Sequence, residues 1–171
     1  MFLDETGSNV TLTRRYARSK RGQPAYGTAP LQRGQNLTVV AAVSATGGVV
    51  AWEALDGSLT AASFLTFVTG TLLPALKGGE VMVMDNLPAH KTTAVRAAFA
   101  AAGVGVLYVP PYSPEYNPIE LCWAGVKRSL RTVGARTRED LRKAVEAALG
   151  AVEAAAVARW VVHCGYRLTT V

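Results

Sequence analysis

An α/β sheet covered by helices is the fold class that this sequence predicts, and three observations carry the prediction. Apolar runs of strand length, closed by acids or turn residues, occur at 2–6, 37–45, 49–55, 81–84 and 104–109. From residue 60 onward, stripes of helical period alternate with them. Half of the 171 residues are hydrophobic and 18% are charged, the balance of a globular chain that buries roughly 70% of its unfolded surface. Neither a repeat nor a low-complexity linker divides it, so one domain over 1–171 is expected.

Each element has a local reason. Residues 2–6 are apolar, then acidic, as at the end of a buried strand, and 7–35 read as a long loop or irregular hairpin rich in Gly, Pro and Arg. Residues 37–45 and 49–55 flank Thr46-Gly47-Gly48 and predict a hairpin. Over 60–73, Phe64, Phe67, Val68, Thr71 and Leu72 recur at helical spacing. Val81-Met82-Val83-Met84 is apolar throughout and stops at Asp85-Asn86, which predicts a buried central strand. Residues 92–102 place Val95, Phe99 and Ala102 on one helical face before Gly103, a glycine cap. Residues 104–109 form the next strand, ended by Pro110-Pro111. Ile119, Trp123, Val126 and Leu130 then make one stripe, in which Trp123 reads as packing. Thr137-Arg138-Glu139-Asp140 opens another helix in the manner of a capping box and runs to Gly150, and a last helix covers about 154–163.

The net charge of +6 belongs to one stretch. Residues 6–52 hold Arg14, Arg15, Arg18, Lys20, Arg21 and Arg33 with no Asp or Glu, while basic and acidic residues cancel elsewhere. Tyr16 and Tyr26 are interleaved with these cations. Such a segment suits phosphate backbones and stacked bases; a solvated loop whose arginines only aid solubility reads equally well from charge alone. A membrane span is not expected, because the longest uncharged window, 57–76, has nine Gly, Ser, Thr or Pro among its 20 residues. Met1 is followed at once by Phe-Leu-Asp-Glu, with no basic and apolar leader, and Cys122 and Cys164 lack the spacing of a zinc site or disulfide framework. Reduced thiols in a cytoplasmic protein are expected.

Two acids stand where ligands of α/β sheets gather, and a third opens a helix. Asp4 and Asp85 follow apolar runs and fall at the carboxyl ends of expected strands, although either can be an ordinary turn residue. Glu120 has its own structural reading, since Asn117 fits an N-cap, Pro118 N1 and Glu120 the N3 position of a capping box. A helix N-terminus also favours an ionised carboxylate, the form that binds a metal. At helical spacing Glu120, Ala124, Lys127 and Arg131 share a strip that can face phosphates or simply solvent. Glu5 points away from Asp4 if both lie in a strand.

The loop Pro110-Pro111-Tyr112-Ser113-Pro114-Glu115-Tyr116-Asn117-Pro118-Ile119-Glu120 with Trp123, the run Asp85-Asn86-Leu87-Pro88-Ala89-His90, and Phe2-Leu3-Asp4-Glu5-Thr6-Gly7 together resemble the DDE transposases of the mariner superfamily, most closely the bacterial insertion-sequence branch. The 34 residues between Asp85 and Glu120 match that family's pattern, and similarity extends to the closing Trp160 and Tyr166. The resemblance implies a ribonuclease H-like mixed sheet flanked by helices, with Asp4, Asp85 and Glu120 as catalytic residues holding two Mg²⁺ ions, Mn²⁺ being a substitute. It implies metal-dependent DNA cleavage and strand transfer, with transposon ends and target DNA as partners. Asn86, His90, Lys127 and Arg131 are expected around the centre or on DNA, and Arg14, Arg15, Arg18, Lys20 and Arg21 on the DNA backbone. Relatives carry an N-terminal helix-turn-helix region, expected here upstream or on a separate chain, and a homodimer is a further expected partner state. The alternative is a noncatalytic remnant or DNA-binding module that retains the fold.

Overall fold

The computed structural model describes residues 1–32 and 34–168, so Arg33 lies outside the described residues. Five strands form one mixed sheet: β1 (Phe2–Ser8), β2 (Leu37–Ser44), β3 (Gly48–Asp56), β4 (Val81–Met84) and β5 (Gly105–Tyr108), in the order β3-β2-β1-β4-β5. The first three are antiparallel neighbours, and β4 runs parallel to both β1 and β5. The hairpin turns at Gly47-Gly48, where Gly48 takes a φ of 68° and a side chain would crowd the Val152 carbonyl at 3.1 Å.

Strand alternation divides the core into two layers. Phe2, Val39, Ala41, Val43 and Val83 face α3 (Ile119–Val133), α4 (Arg138–Gly150) and α5 (Ala154–His163). Leu3, Val40, Ala42, Met82 and Met84 face α1 (Ala61–Phe67) and α2 (Thr93–Ala101). Every residue of β2 is buried because helices cover both faces of it. α3 shows the expected stripe, with Ile119, Trp123, Val126 and Leu130 all buried, and ends at Gly134 in the left-handed conformation. α4 opens on the Thr137 cap, whose hydroxyl accepts from Asp140 N.

Four expectations need correction. The helix expected over 60–73 is α-helical only to Phe67; a π-helical turn over Val68–Leu72 and a 3₁₀ turn over Leu73–Ala75 complete it. Thr69 bonds back to the Leu65 carbonyl at 2.9 Å and Pro74 has no N–H to give, so the regular ladder cannot continue. The central strand is β1, and β4 lies one place from the edge with Val81 exposed. Asp4 is the third residue of a seven-residue strand rather than its end, because pairing with β2 carries β1 on to Ser8. Finally, Asn117 does not cap α3.

That last difference positions the site. Asn117 is extended and buried, and its side-chain amide donates across the fold to the Leu3 carbonyl at 3.3 Å. Pro118 becomes the residue at the helix start, and no side chain caps it. The amide thus joins the first turn of α3 to the strand residue beside Asp4. Asn117→Ala is expected to leave a buried carbonyl unpaired and to lower unfolding free energy by about 1–3 kcal/mol, read by urea denaturation; an unchanged midpoint would contradict this role.

Candidate active site

Parallel pairing sets the first two acids side by side. Phe2 on β1 lies level with Val83 on β4, so two residues further on Asp4 comes level with Asp85, and alternation puts both on the face of Phe2 and Val83. α3 covers that face, and its first turn supplies Glu120. The three carboxylates line one open cleft of about 480 Å³, walled by Asn86-Leu87-Pro88 and by the Pro-rich loop after β5. In that loop Tyr112 holds a φ of 57° with its ring in solvent at the cleft margin, a conformation seldom adopted by a bulky residue.

The acids sit in unlike surroundings. Asp4 is buried and accepts the Trp123 indole N–H on Oδ2 at 3.0 Å. Burial, followed by the nearby charges of Glu5, Glu120 and Asp85, pushes its carboxyl up to about 7. Burial also acts to raise Asp85, but His90, the Leu87 N–H and Lys91 outweigh it and hold this carboxyl below its ordinary value. Glu120 is raised by burial, then opposed by Lys127 and raised again by Asp85 and Glu5.

His90 is fully buried beneath the cleft. Its Nδ1 lies 2.7 Å from Asp85 Oδ1 and its Nε2 3.3 Å from Glu5 Oε2. Neither ring nitrogen has a well-aligned hydrogen bond, so the ring is held by charge attraction. Desolvation acts to lower His90, yet the two carboxylates raise it to about 9, and the ring is cationic near neutral pH. Glu5 thus reaches His90 and is absent from the cleft wall. Asn86 lines the cleft and ties it to the β5 end by donating to the Val109 carbonyl.

The basic residues gather only in part. Lys127, Arg128 and Arg131 of α3 line a groove of about 580 Å³ with Arg14, Arg15 and Tyr16 of the long 9–36 loop. Arg14, Arg15 and Tyr16 also border a second cavity of about 480 Å³ with Tyr26, Arg131 and Arg136. Arg136 holds the loop in place by donating to the Val10 and Thr28 carbonyls at 3.3 and 3.0 Å. Arg18, Lys20 and Arg21 are exposed further along the loop and line neither cavity. Neither the hydrogen bond from Trp123 to Asp4 nor the Glu5–His90 pair is visible in the sequence pattern. The available signal was that a buried indole N–H needs an acceptor.

Among the described residues no three Asp, Glu, His or Cys side chains are gathered closely enough to close on one ion. The donor set nonetheless fits a hard divalent cation: its acids are carboxylates of one cleft, and a cation would offset both the burial that chiefly raises Asp4 and Glu120 and the nearby negative charge that adds to it.

A family model described as DDE superfamily endonuclease matches residues 1–142. No curated protein matches the chain. Among solved structures, the Mos1 transposase paired-end complex with left transposon end superposes with a TM-score of 0.78 at 23% identity, covering 94% of this chain and 50% of that one. The Mos1 Strand Transfer Complex gives 0.75 at 23% identity, covering 98% and 55%. The catalytic domain of Mos1 mariner transposase gives 0.67 at 20% identity, covering 75% and 68%. The chain thus has the fold of these catalytic domains and spans about half the length of the Mos1 chains in the two complexes.

These shifts set a pH dependence. Asp4 goes from 3.8 to about 7 on folding, so its penalty is absent in acid and grows as pH rises from about 4 to 7. His90 goes from 6.5 to about 9, so its stabilisation is full below 6.5 and lost as pH rises through 9. Asp85, held low, opposes this only in acid, where its stabilisation is lost. Thermal unfolding in chelator is therefore expected to show stability falling from pH 5 to 9. Asp4→Asn should flatten the part below pH 7 and add about 2–4 kcal/mol at pH 8. An identical pH profile for the variant would contradict the buried-acid account.

Proposed function

The chain belongs to the DDE superfamily endonucleases, and from that premise we propose that it is a transposase catalytic domain that cuts and joins DNA with divalent metal ions. The observation that carries the reading is the convergence of Asp4, Asp85 and Glu120, from β1, the end of β4 and the first turn of α3, on one open cleft. In this reading they hold two Mg²⁺ ions, or Mn²⁺, and the bound metal supplies a nucleophile near neutral pH and stabilises the leaving oxygen. Structures of the Mos1 paired-end complex with Mn and with Mg are among the similar folds.

The chain's own groups prepare the cleft. Asp85 stays ionised because the His90 cation lies against its Oδ1. Asp4, poised near neutrality, is ready to give up its proton when positive charge enters. Lys127 stands near Glu120 and begins the basic track through Arg131 to Arg14 and Arg15, which binds phosphates and positions the duplex while base reading lies elsewhere. Water then attacks a phosphodiester to nick the strand, and the freed 3′-hydroxyl attacks target DNA, both as in-line displacements at phosphorus.

Transposon ends and target DNA are the proposed substrates. Helices α1 to α5 all pack on the sheet or on one another, so we assign recognition of the ends to a helix-turn-helix region outside these residues, in cis or on a partner, and include a homodimer. No helix among the described residues is long and apolar enough to cross a membrane, and a cytoplasmic setting completes the proposal.

Two measurements test it. With Mg²⁺ and flanking DNA, Asp85→Asn should lower nicking at least about 100-fold while circular dichroism stays unchanged; wild-type rates in the folded variant would remove Asp85 from the metal site. DNA bound in a salt-dependent way but never nicked would favour the noncatalytic module. Replacing Arg14, Arg15 and Arg18 together with Ala should reduce the slope of log affinity against log salt by about 0.9 for each phosphate that is no longer neutralised. An unchanged slope would place the DNA path away from the arm.

A further inference from the structure

Trp123 is among the largest fully packed side chains of the fold, and packing alone would ask only for an aromatic ring. Its indole N–H is nevertheless spent on a single acceptor, Asp4 Oδ2 at 3.0 Å, across 119 residues of sequence. Both partners are buried, Trp123 at 2% and Asp4 at 9% exposure. The same helix bears Glu120 one turn earlier, and Asn117 anchors that turn to the Leu3 carbonyl. α3 and the extended Asn117 ahead of it thus grip β1 through both the Asp4 side chain and the Leu3 backbone, and the same helix presents Glu120, the third carboxylate of the cleft.

We infer that Trp123 is a positioning residue, whose indole N–H holds the Asp4 carboxylate in the orientation from which it takes up a divalent cation. This inference rests on the reading of the three acids given above. A neutral donor suits that role, because it fixes one carboxylate oxygen without bringing a second positive charge to compete for the site. At Asp85 the corresponding holder is the His90 cation, which keeps that acid ionised but also occupies it. Trp123 supplies orientation alone, and hydrogen-bond partners of this kind usually govern metal affinity.

The test separates the N–H from the ring. Trp123→β-(3-benzothienyl)alanine keeps the bicyclic shape and puts sulfur where the N–H was; Trp123→Phe gives the same comparison if the isostere does not fold. Mn²⁺ binding to the DNA-free chain is measured by calorimetry and electron paramagnetic resonance, beside thermal unfolding. The expected result is affinity for Mn²⁺ weakened by about 10–100-fold. In nicking assays the half-saturating Mn²⁺ concentration should rise in parallel, with the rate at saturating Mn²⁺ within a few-fold of wild type. A folded variant that binds Mn²⁺ as tightly as wild type overturns the inference and leaves the acidic site standing. A wild-type chain that takes up no Mn²⁺ overturns the reading of the acids and this inference with it.

Discussion

Strand β1 pairs with two neighbours of opposite sense, and the cleft depends on the difference in how far each pairing runs. With β2 it forms an antiparallel ladder from Phe2 to Ser8, while its parallel pairing with β4 is made at Phe2. Because β4 stops at Met84, the sheet opens beside Asp4 while β1 itself continues. An acid can therefore sit in the middle of the central strand, rigidly held, and still face an open space. Its neighbour Asp85 is the first residue free of β4, so the two carboxylates share a level without sharing a strand end.

The two carboxylates meet that position in opposite ways. A buried carboxylate is unfavourable unless it is neutralised or paired. Asp4 meets a neutral donor and other negative charges, and its proton is retained to about pH 7. Asp85 meets an imidazole that Glu5 also holds cationic, and it remains charged. The sheet separates these arrangements: Asp4 faces the α3 layer, and Glu5, one residue on, faces the α1 and α2 layer, where His90 packs against Phe64 with ring centroids 4.3 Å apart. Alternation along one strand thus supplies both the acid of the cleft and the remote carboxylate that polarises the support of its partner.

The basic arm is organised differently. Between β1 and β2 no strand or helix forms among the described residues, and side-chain hydrogen bonds to the body take the place of a backbone ladder. Arg136 reaches two carbonyls of the arm, and Arg138 bonds Gln35 near its end. Both arginines come from the corner between α3 and α4, so the helix that carries Glu120 and Lys127 also locates Arg14 and Arg15. Cations remote in sequence thus line one groove, and Lys127 brings it near Glu120, a surface suited to a polyanion.

Periodicity made most of the fold legible. The alternation and length of the apolar runs marked all five strands, and α2, α4 and α5 fall within a residue or so of the ranges read from their stripes and caps. Where local rules misled, a distant group had claimed the side chain: Asn117 has the chemistry of a cap but spends its amide on Leu3, and Trp123 has the spacing of core packing but also holds Asp4. Thr69 and Pro74 turned the end of α1 into wider and tighter turns that an average stripe does not reveal. By itself the sequence determined which residues could serve. It set two acids at the ends of apolar runs and a third at a helix start, a spacing of motifs that resembles one family, and a segment of unopposed positive charge, because composition and period act through neighbours a few residues apart. Only the tertiary structure decided how those residues are used. Strand order made β1 central and brought Asp4 level with Asp85, helix packing delivered Glu120 and the Trp123 N–H, and burial raised one acid while the His90 pair lowered the other. The physical reason is that proton affinity and hydrogen-bond choice respond to distance and desolvation in space, and both are set by contacts between residues as far apart as Asp4 and Trp123.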